Sequence, residues 1–175
     1  MALSLFKKSP ASGPVFTVYA ALVAQSRQPR FYAEWGVPDT VTGRFDMISL
    51  HLMLLFRRLK SESSTAKAFS QAIFDLFFKD MDQSLREMGA GDLAVPKKIR
   101  NMGNVFYGLL ATLDTALSTG DPEAVEIVLR RNVYAEIDAS SARPLADYVM
   151  AEAKRLADQP ADRILAGHLD LGQAA

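Results

Sequence analysis

Gly43-Arg-Phe-Asp-Met-Ile-Ser-Leu-His-Leu-Met-Leu-Leu-Phe-Arg-Arg-Leu-Lys60 is the stretch on which the fold turns. Phe45, Ile48, Leu52, Leu55 and Leu59 recur at steps of three and four, which places them on one face of an α-helix. Met47, Leu50 and Leu54 form a second stripe opposite. A helix that is apolar on two sides belongs between neighbours, so a central, buried helix is expected at about 43–60. Arg44, His51 and Arg58 lie seven residues apart, nearly two turns, and so form one line between the stripes.

The flanking sequence supplies the neighbours. Pro14 opens a helix with Val15, Val18, Tyr19, Leu22 and Val23 on one side, fading by Gln28-Pro29. Residues 30–43, with Trp35, Gly36, Pro38 and Gly43, read as irregular. Ser63-Ser64-Thr65 caps a long helix to about Met88, striped by Phe74, Phe77, Phe78, Met81, Leu85 and Met88 and ended by Gly89-Ala90-Gly91. A further helix carries Ile99, Met102, Phe106, Leu109, Leu113 and Leu117 and stops at Gly120. Asp121-Pro122 restarts the chain with Val125, Val128 and Leu129 inward. Ser140-Ser141 and Pro144 begin another helix, and residues 160–167 allow a short last one. No strand pattern develops. The fold class is therefore all-α, a single compact domain of six to seven helices at 14–168. A flexible segment at 1–13 and a frayed tail at 169–175 are expected to flank it.

Composition supports an ordinary globular domain. The chain has 175 residues, 49% apolar and 23% charged, long enough to bury roughly two thirds of its unfolded surface. Twenty basic and twenty acidic side chains cancel, so no whole-molecule attraction to DNA or anionic lipid follows. There is no cysteine and there are two histidines, His51 and His168. Thiolate metal sites, iron–sulfur clusters and histidine-rich metal sites are excluded, and no cofactor is expected. Met1 to Phe6 is too short for a signal-peptide core, and Lys7-Lys8 follows it. The longest apolar run, Leu52-Met-Leu-Leu-Phe56, falls far below the ~20 residues of a membrane span. A cytoplasmic protein is expected. Peripheral contact at the inner face of the membrane, through Leu3, Leu5, Phe6, Lys7 and Lys8, is the alternative.

Catalytic patterns fail one by one. Asp80-Met81-Asp82 would need glycine and glutamate at the sixth and twelfth calcium-loop positions, where Leu85 and Gly91 stand. Ser64-Thr-Ala-Lys67 has the Ser-x-x-Lys spacing without its Lys-Thr-Gly companion, and Ser64 suits a helix cap. Neither histidine follows a glutamate by three, and no phosphate loop or nucleophile elbow occurs. Charge patterning is more informative. Asp80 and Glu87 flank the aromatic stripe at 74–88, and a buried cationic line needs partners. One reading has the two lines facing each other, Asp80 pairing with Arg44, His51 or Arg58. The other has the arginines reaching solvent and His51 satisfied in the core. Asp75/Lys79 and Asp82/Arg86 are spaced as i,i+4 pairs. Lys97, Lys98 and Arg100 make a basic cluster that reads as a solvated helix end or a phosphate contact.

Several short pieces then run in order: Trp35-Gly-Val-Pro-Asp39-Thr40, Gly43-Arg44-Phe-Asp46, His51 with Arg57-Arg58-Leu59, and Phe78-Lys-Asp80-Met-Asp82. Leu85-Arg86-Glu87, Gly91-Asp92, Val95-Pro-Lys97-Lys98, Met102 and Phe106-Tyr107-Gly108 follow. This series, over residues 35–108 and more weakly to Tyr148, resembles the ubiquinol-cytochrome c chaperone family, assembly factors of respiratory complex III. The resemblance implies an all-α, non-enzymatic factor that helps newly made cytochrome b into the complex. It implies the bacterial form, since no transit peptide is evident. Mitochondrial relatives work with a small helper protein near the ribosome. Partner contacts are then expected among Trp35, Asp39, Arg44, His51, Arg58, Asp80, Asp82, Arg86, Glu87, Asp92, Lys97, Lys98, Phe106 and Tyr107. Two other classes stay open: a ribosome- or RNA-associated adaptor using Lys97, Lys98 and Arg100, and an enzyme with a carboxylate–histidine site at Asp80 and His51.

Overall fold

The computed structural model describes residues 13–134 and 142–173. Among them are eight helices and no strand: α1 (Pro14–Ser26), α2 (Pro29–Ala33), α3 (Val41–Leu59), α4 (Ser64–Glu87), α5 (Val95–Thr119), α6 (Pro122–Asn132), α7 (Ala142–Ala157) and α8 (Ala161–Leu165). Local chemistry sets most of these bounds. Pro14 stands in the first turn of α1, where its missing N–H costs nothing. Ser63 Oγ accepts from the Ala66 N–H at the start of α4 (3.3 Å), and Asp121 Oδ1 from the Glu123 N–H at the start of α6 (2.9 Å). Gly120 ends α5 with φ 72°, a left-handed conformation that glycine takes without steric cost. The expected cap at Ser140-Ser141 and the Leu3–Lys8 membrane contact lie outside the described residues.

Helix α3 is the hub. Every residue from 45 to 55 is buried, three full turns with no solvent face. It packs against α1, α4, α5 and α7, while α6 bridges α5 and α7. The expectation of a central helix holds, although it begins two residues early. Thr40 Oγ1 caps it by accepting from the Gly43 N–H (3.1 Å), which leaves Gly43 inside the first turn. The loop at 35–40 lies across that turn so closely that a Cβ on Gly43 would sit 2.0 Å from the Pro38 carbonyl oxygen.

Two stretches differ from expectation. The start of the 30–43 stretch is not irregular: Pro29–Ala33 forms one and a half turns of helix that drive Phe31 into the core. Residues 169–173 do not fray. Leu169 and Leu171 pack on the core, Gln159 exchanges two hydrogen bonds with the Asp170 backbone (2.7 and 2.9 Å), and Gly172 N–H donates to Glu152 Oε2 (2.9 Å). No described helix is long and apolar enough to cross a membrane.

Leu52 is wholly buried at the centre of α3. Leu52→Ala should therefore lower unfolding free energy by ~2–5 kcal/mol, read as a shifted urea midpoint at unchanged slope. Gly43→Ala should lower the midpoint as well, because the added methyl must displace the 35–40 loop.

Candidate functional site

Helices α4 and α5 each bury one edge against α3, and their junction leaves two apolar hollows at opposite ends of the α3–α4–α5 layer. The first, of about 510 Å³, is walled by Phe56, Phe74, Phe106, Tyr107 and Leu110. The second, of about 610 Å³, is walled by Phe45, Leu85, Met88, Met102 and Val105. A run of rings, Phe45–Phe77–Phe106 with centroids 5.5 and 6.1 Å apart, separates them, and Phe74 and Phe78 pack on it. The rims are open: Tyr107 is 58% exposed, Met88 54%, Val41 53% and Val105 50%, with Leu93 wholly exposed in the turn between α4 and α5. Large side chains left wet in one neighbourhood mark a surface suited to an apolar partner.

The polar groups at the two hollows differ. At the first, Asp114 takes both Lys60 Nζ (2.9 Å) and Arg57 Nε (3.3 Å), and Lys67 adds a further cation to the lining, so the hollow carries a positive excess. At the second, Asp46 lines the wall, is 5% exposed, and receives no hydrogen bond or ion pair from the described residues. Burial alone pushes its carboxyl up to about 7.

Beneath this face a hydrogen-bond chain crosses the core. Gln28 Nε2 donates to Gln25 Oε1 (2.7 Å), and Gln25 Nε2 donates to Tyr148 Oη (2.8 Å) and to the Gly172 carbonyl. Tyr148 Oη lies 2.9 Å from His51 Nε2, and His51 Nδ1 lies 2.7 Å from the Met47 carbonyl. A carbonyl can only accept, so Nδ1 carries a proton; with the buried ring neutral, Nε2 accepts from the Tyr148 hydroxyl. Burial pushes its imidazole down to about 4, against the Met47 bond that pulls the other way. The sites thus linked lie on α1, α3, α7 and the tail.

The structure corrects the charge readings. Asp80 does not meet the cationic line: it accepts from the Tyr19 hydroxyl at 2.7 Å, binding α4 to α1. Arg44 pairs with Asp39 at the surface (2.7 Å), and Arg58 with Glu62 (2.5 Å) and the Gln159 carbonyl (2.8 Å). His51 is a satisfied core histidine, and no carboxylate–histidine pair forms with Asp80. Glu87 accepts from Gln83 (2.8 Å), and Asp75 accepts from Gln71 instead of pairing with Lys79. Asp82 does bind Arg86 (2.7 Å), which also reaches Asp92 (2.6 Å).

Of the other sequence candidates, Trp35, His51 and Phe106 are core residues. Trp35 stacks edge-on against Phe31 and accepts from the Tyr134 hydroxyl through its carbonyl (2.8 Å). Lys97 is exposed at the start of α5, Lys98 stands exposed on the rim of the second hollow, and Tyr107 forms a wall of the first. The sequence reading passed over Asp46, Gln25, Tyr148 and Glu152. Asp46 had two visible signals, its place four residues before Leu50 in the buried Leu50–Leu54 stripe and its place in the Gly43–Asp46 piece of the resemblance.

Comparisons with known proteins bear on the family and the fold. The profile of the ubiquinol-cytochrome C chaperone family matches residues 33–171, wider than the 35–108 core of the resemblance. The ubiquinol-cytochrome-c reductase complex assembly factor 1 of Xenopus laevis is 23% identical over 104 residues, covering 59% of this chain and 52% of that protein. The chain thus spans about half the length of that curated relative. The crystal structure of the Cbp3 homolog from Brucella abortus superposes with a TM-score of 0.84 at 38% identity, over 91% of this chain and 89% of that one.

Asp46 and His51 give opposite pH signatures. Between its ordinary value of 3.8 and about 7, folded Asp46 holds a proton that the unfolded chain has released, so rising pH destabilises. Between about 4 and 6.5 the unfolded chain holds a proton on His51 that the fold refuses, so rising pH stabilises. Each slope is at most ~1.4 kcal/mol per pH unit, and in the native protein the two offset one another. Glu152, also raised by burial, acts on the Asp46 side. Asp46→Asn should gain stability over the native protein steadily as pH rises from about 4 to about 7, measured by urea unfolding. A difference that stays constant with pH would show that Asp46 ionises as it does in water.

Proposed function

We propose that this chain, which belongs to the ubiquinol-cytochrome C chaperone family, is a non-catalytic assembly factor for ubiquinol–cytochrome c reductase that holds newly made cytochrome b. The observation that carries the reading is the pair of open apolar hollows along α4 and α5, ringed by large apolar side chains left exposed. A membrane subunit released before insertion exposes apolar spans that aggregate in water. A protein that shields them needs wet apolar surface, rigidly backed, at a place where a segment can lie down. The ring cluster supplies the backing. Tyr107, Met88, Val105 and Val41 supply the contact. Lys98, exposed on the rim of the second hollow, sets charge at its entrance.

The reading is supported further by the kinds of protein the chain resembles, an assembly factor of the reductase and a structural homologue that matches nearly end to end. Deleting the gene in a respiring host should lower assembled cytochrome b while its message stays normal. Purified protein should bind apolar segments of cytochrome b in a manner that survives raised salt, because apolar burial is not screened. Met88→Asp and Tyr107→Asp should each weaken that binding about tenfold, the effect of stripping one anchor side chain, while leaving the helical circular dichroism unchanged. Intact complex III in the deletion strain would overturn the proposal. Binding that collapses with salt and is competed by RNA would favour the adaptor reading instead.

A further inference from the structure

The second hollow combines two features that conflict unless something else enters it. Its walls are apolar, and Phe45, Leu85 and Met102 would be satisfied by any hydrocarbon. Asp46, on the α3 side, would not. Its carboxylate opens on the hollow among apolar side chains and receives no donor from the described residues, which leaves its charge poorly compensated. Lys98 on α5 is the one other ionisable side chain lining the hollow. It is exposed and makes no ion pair with Asp46; Leu85 of α4 and Met88, Gly89 and Ala90 just after it bring no charge, and Thr42 and Asn101, the neutral polar residues of the lining, give Asp46 no hydrogen bond. The carboxyl is therefore held ready, inside an apolar wall, for a donor the described chain does not provide.

We propose that this hollow receives a basic side chain of an otherwise apolar client segment, its ammonium or guanidinium pairing with Asp46 while the neighbouring residues cover Val41, Leu85, Met88, Met102 and Val105. This rests on the chaperone reading and names the chemistry of the segment held. Charge complementarity selects a cation. A neutral donor would satisfy one oxygen and leave the charge uncompensated, whereas a cation offsets the charge and hydrogen-bonds as well. Membrane subunits carry such residues where they are hardest to handle. Lysine and arginine are costly within a span and concentrate at its cytoplasmic end. A holding protein that offers hydrocarbon contact and one buried counter-ion matches the end of a span with its basic flank. Pairing also draws the proton off Asp46, whose carboxyl is otherwise held high by burial.

The test uses the whole chain and two soluble probes. One is a leucine–alanine peptide of about 20 residues, the length of one span, with a single central lysine and a neutral polyethylene glycol tail. The other has methionine in place of that lysine. Fluorescence anisotropy at pH ~8, above the Asp46 transition, should show the native protein binding the lysine peptide about tenfold more tightly than the methionine peptide, the scale of one charge-assisted hydrogen bond. Asp46→Asn should abolish that preference, so that the lysine and methionine peptides bind it alike. Should Asp46→Asn fail to fold, the native protein supplies the same measurement. Its preference should disappear by pH ~5, where Asp46 is protonated while Lys98 and the peptide lysine remain charged. Equal binding of both peptides to both proteins would overturn this inference and leave the chaperone reading standing. No binding of either peptide would overturn both.

Discussion

A helix buried on every side has nowhere to send a polar side chain. That constraint, applied to α3, organises the rest of the molecule. His51 sits in its middle turn, and neither nitrogen can reach water. One nitrogen turns back to the Met47 carbonyl on the same helix. The other fixes Tyr148, and with it the depth at which α7 packs. Tyr148 in turn needs a donor, which Gln25 supplies from the end of α1. Each member has its hydrogen-bonding capacity filled only when all the helices are in place, so the network rewards one arrangement and penalises near neighbours.

The opposite side of the layer follows a different rule. There α4 and α5 are not covered by further helices, and their aromatic residues divide the labour. Phe77 and Phe106 lie fully inside and stiffen the junction, whereas Tyr107, Met88 and Val105 lie at its edge. The outer residues are wet because the inner ones already fill the space between the helices. This separation lets a surface be apolar without being soft, which suits the shielding of a chain that has no fixed shape of its own.

Much of this was legible in the sequence, because it depends on short-range periodicity. The two stripes of α3, the Ser63 cap, the Gly120 stop and the all-α class all follow from residues within a few turns of one another. Relations between distant residues were not legible. Asp80 was expected beside the cationic line, since both border apolar stripes. Its actual partner is Tyr19, sixty-one residues away, whose ring reads from sequence as one more core aromatic. The arginines of that line found local acids, Asp39 and Glu62, before any tertiary partner was needed. The 29–33 turn escaped notice because five residues carry too little periodicity to register. Asp46 was hidden by its setting, a single acid in a stripe of leucines that gives no sign of whether a partner will arrive.

Gly172 closes the network from the far end of the chain. Its carbonyl accepts from Gln25 and its N–H donates to Glu152, and a Cβ there would stand 2.7 Å from the Glu152 carboxylate. Protein synthesis runs from the first residue to the last, so this glycine is made after every helix it helps to join. While the chain is still being translated, α1, α3 and α7 can meet but the Gln25 amide and the Glu152 carboxylate lack their shared partner. The final closure of the interior thus waits for residue 172, and a chain broken just short of it has all the described helices and a centre left open.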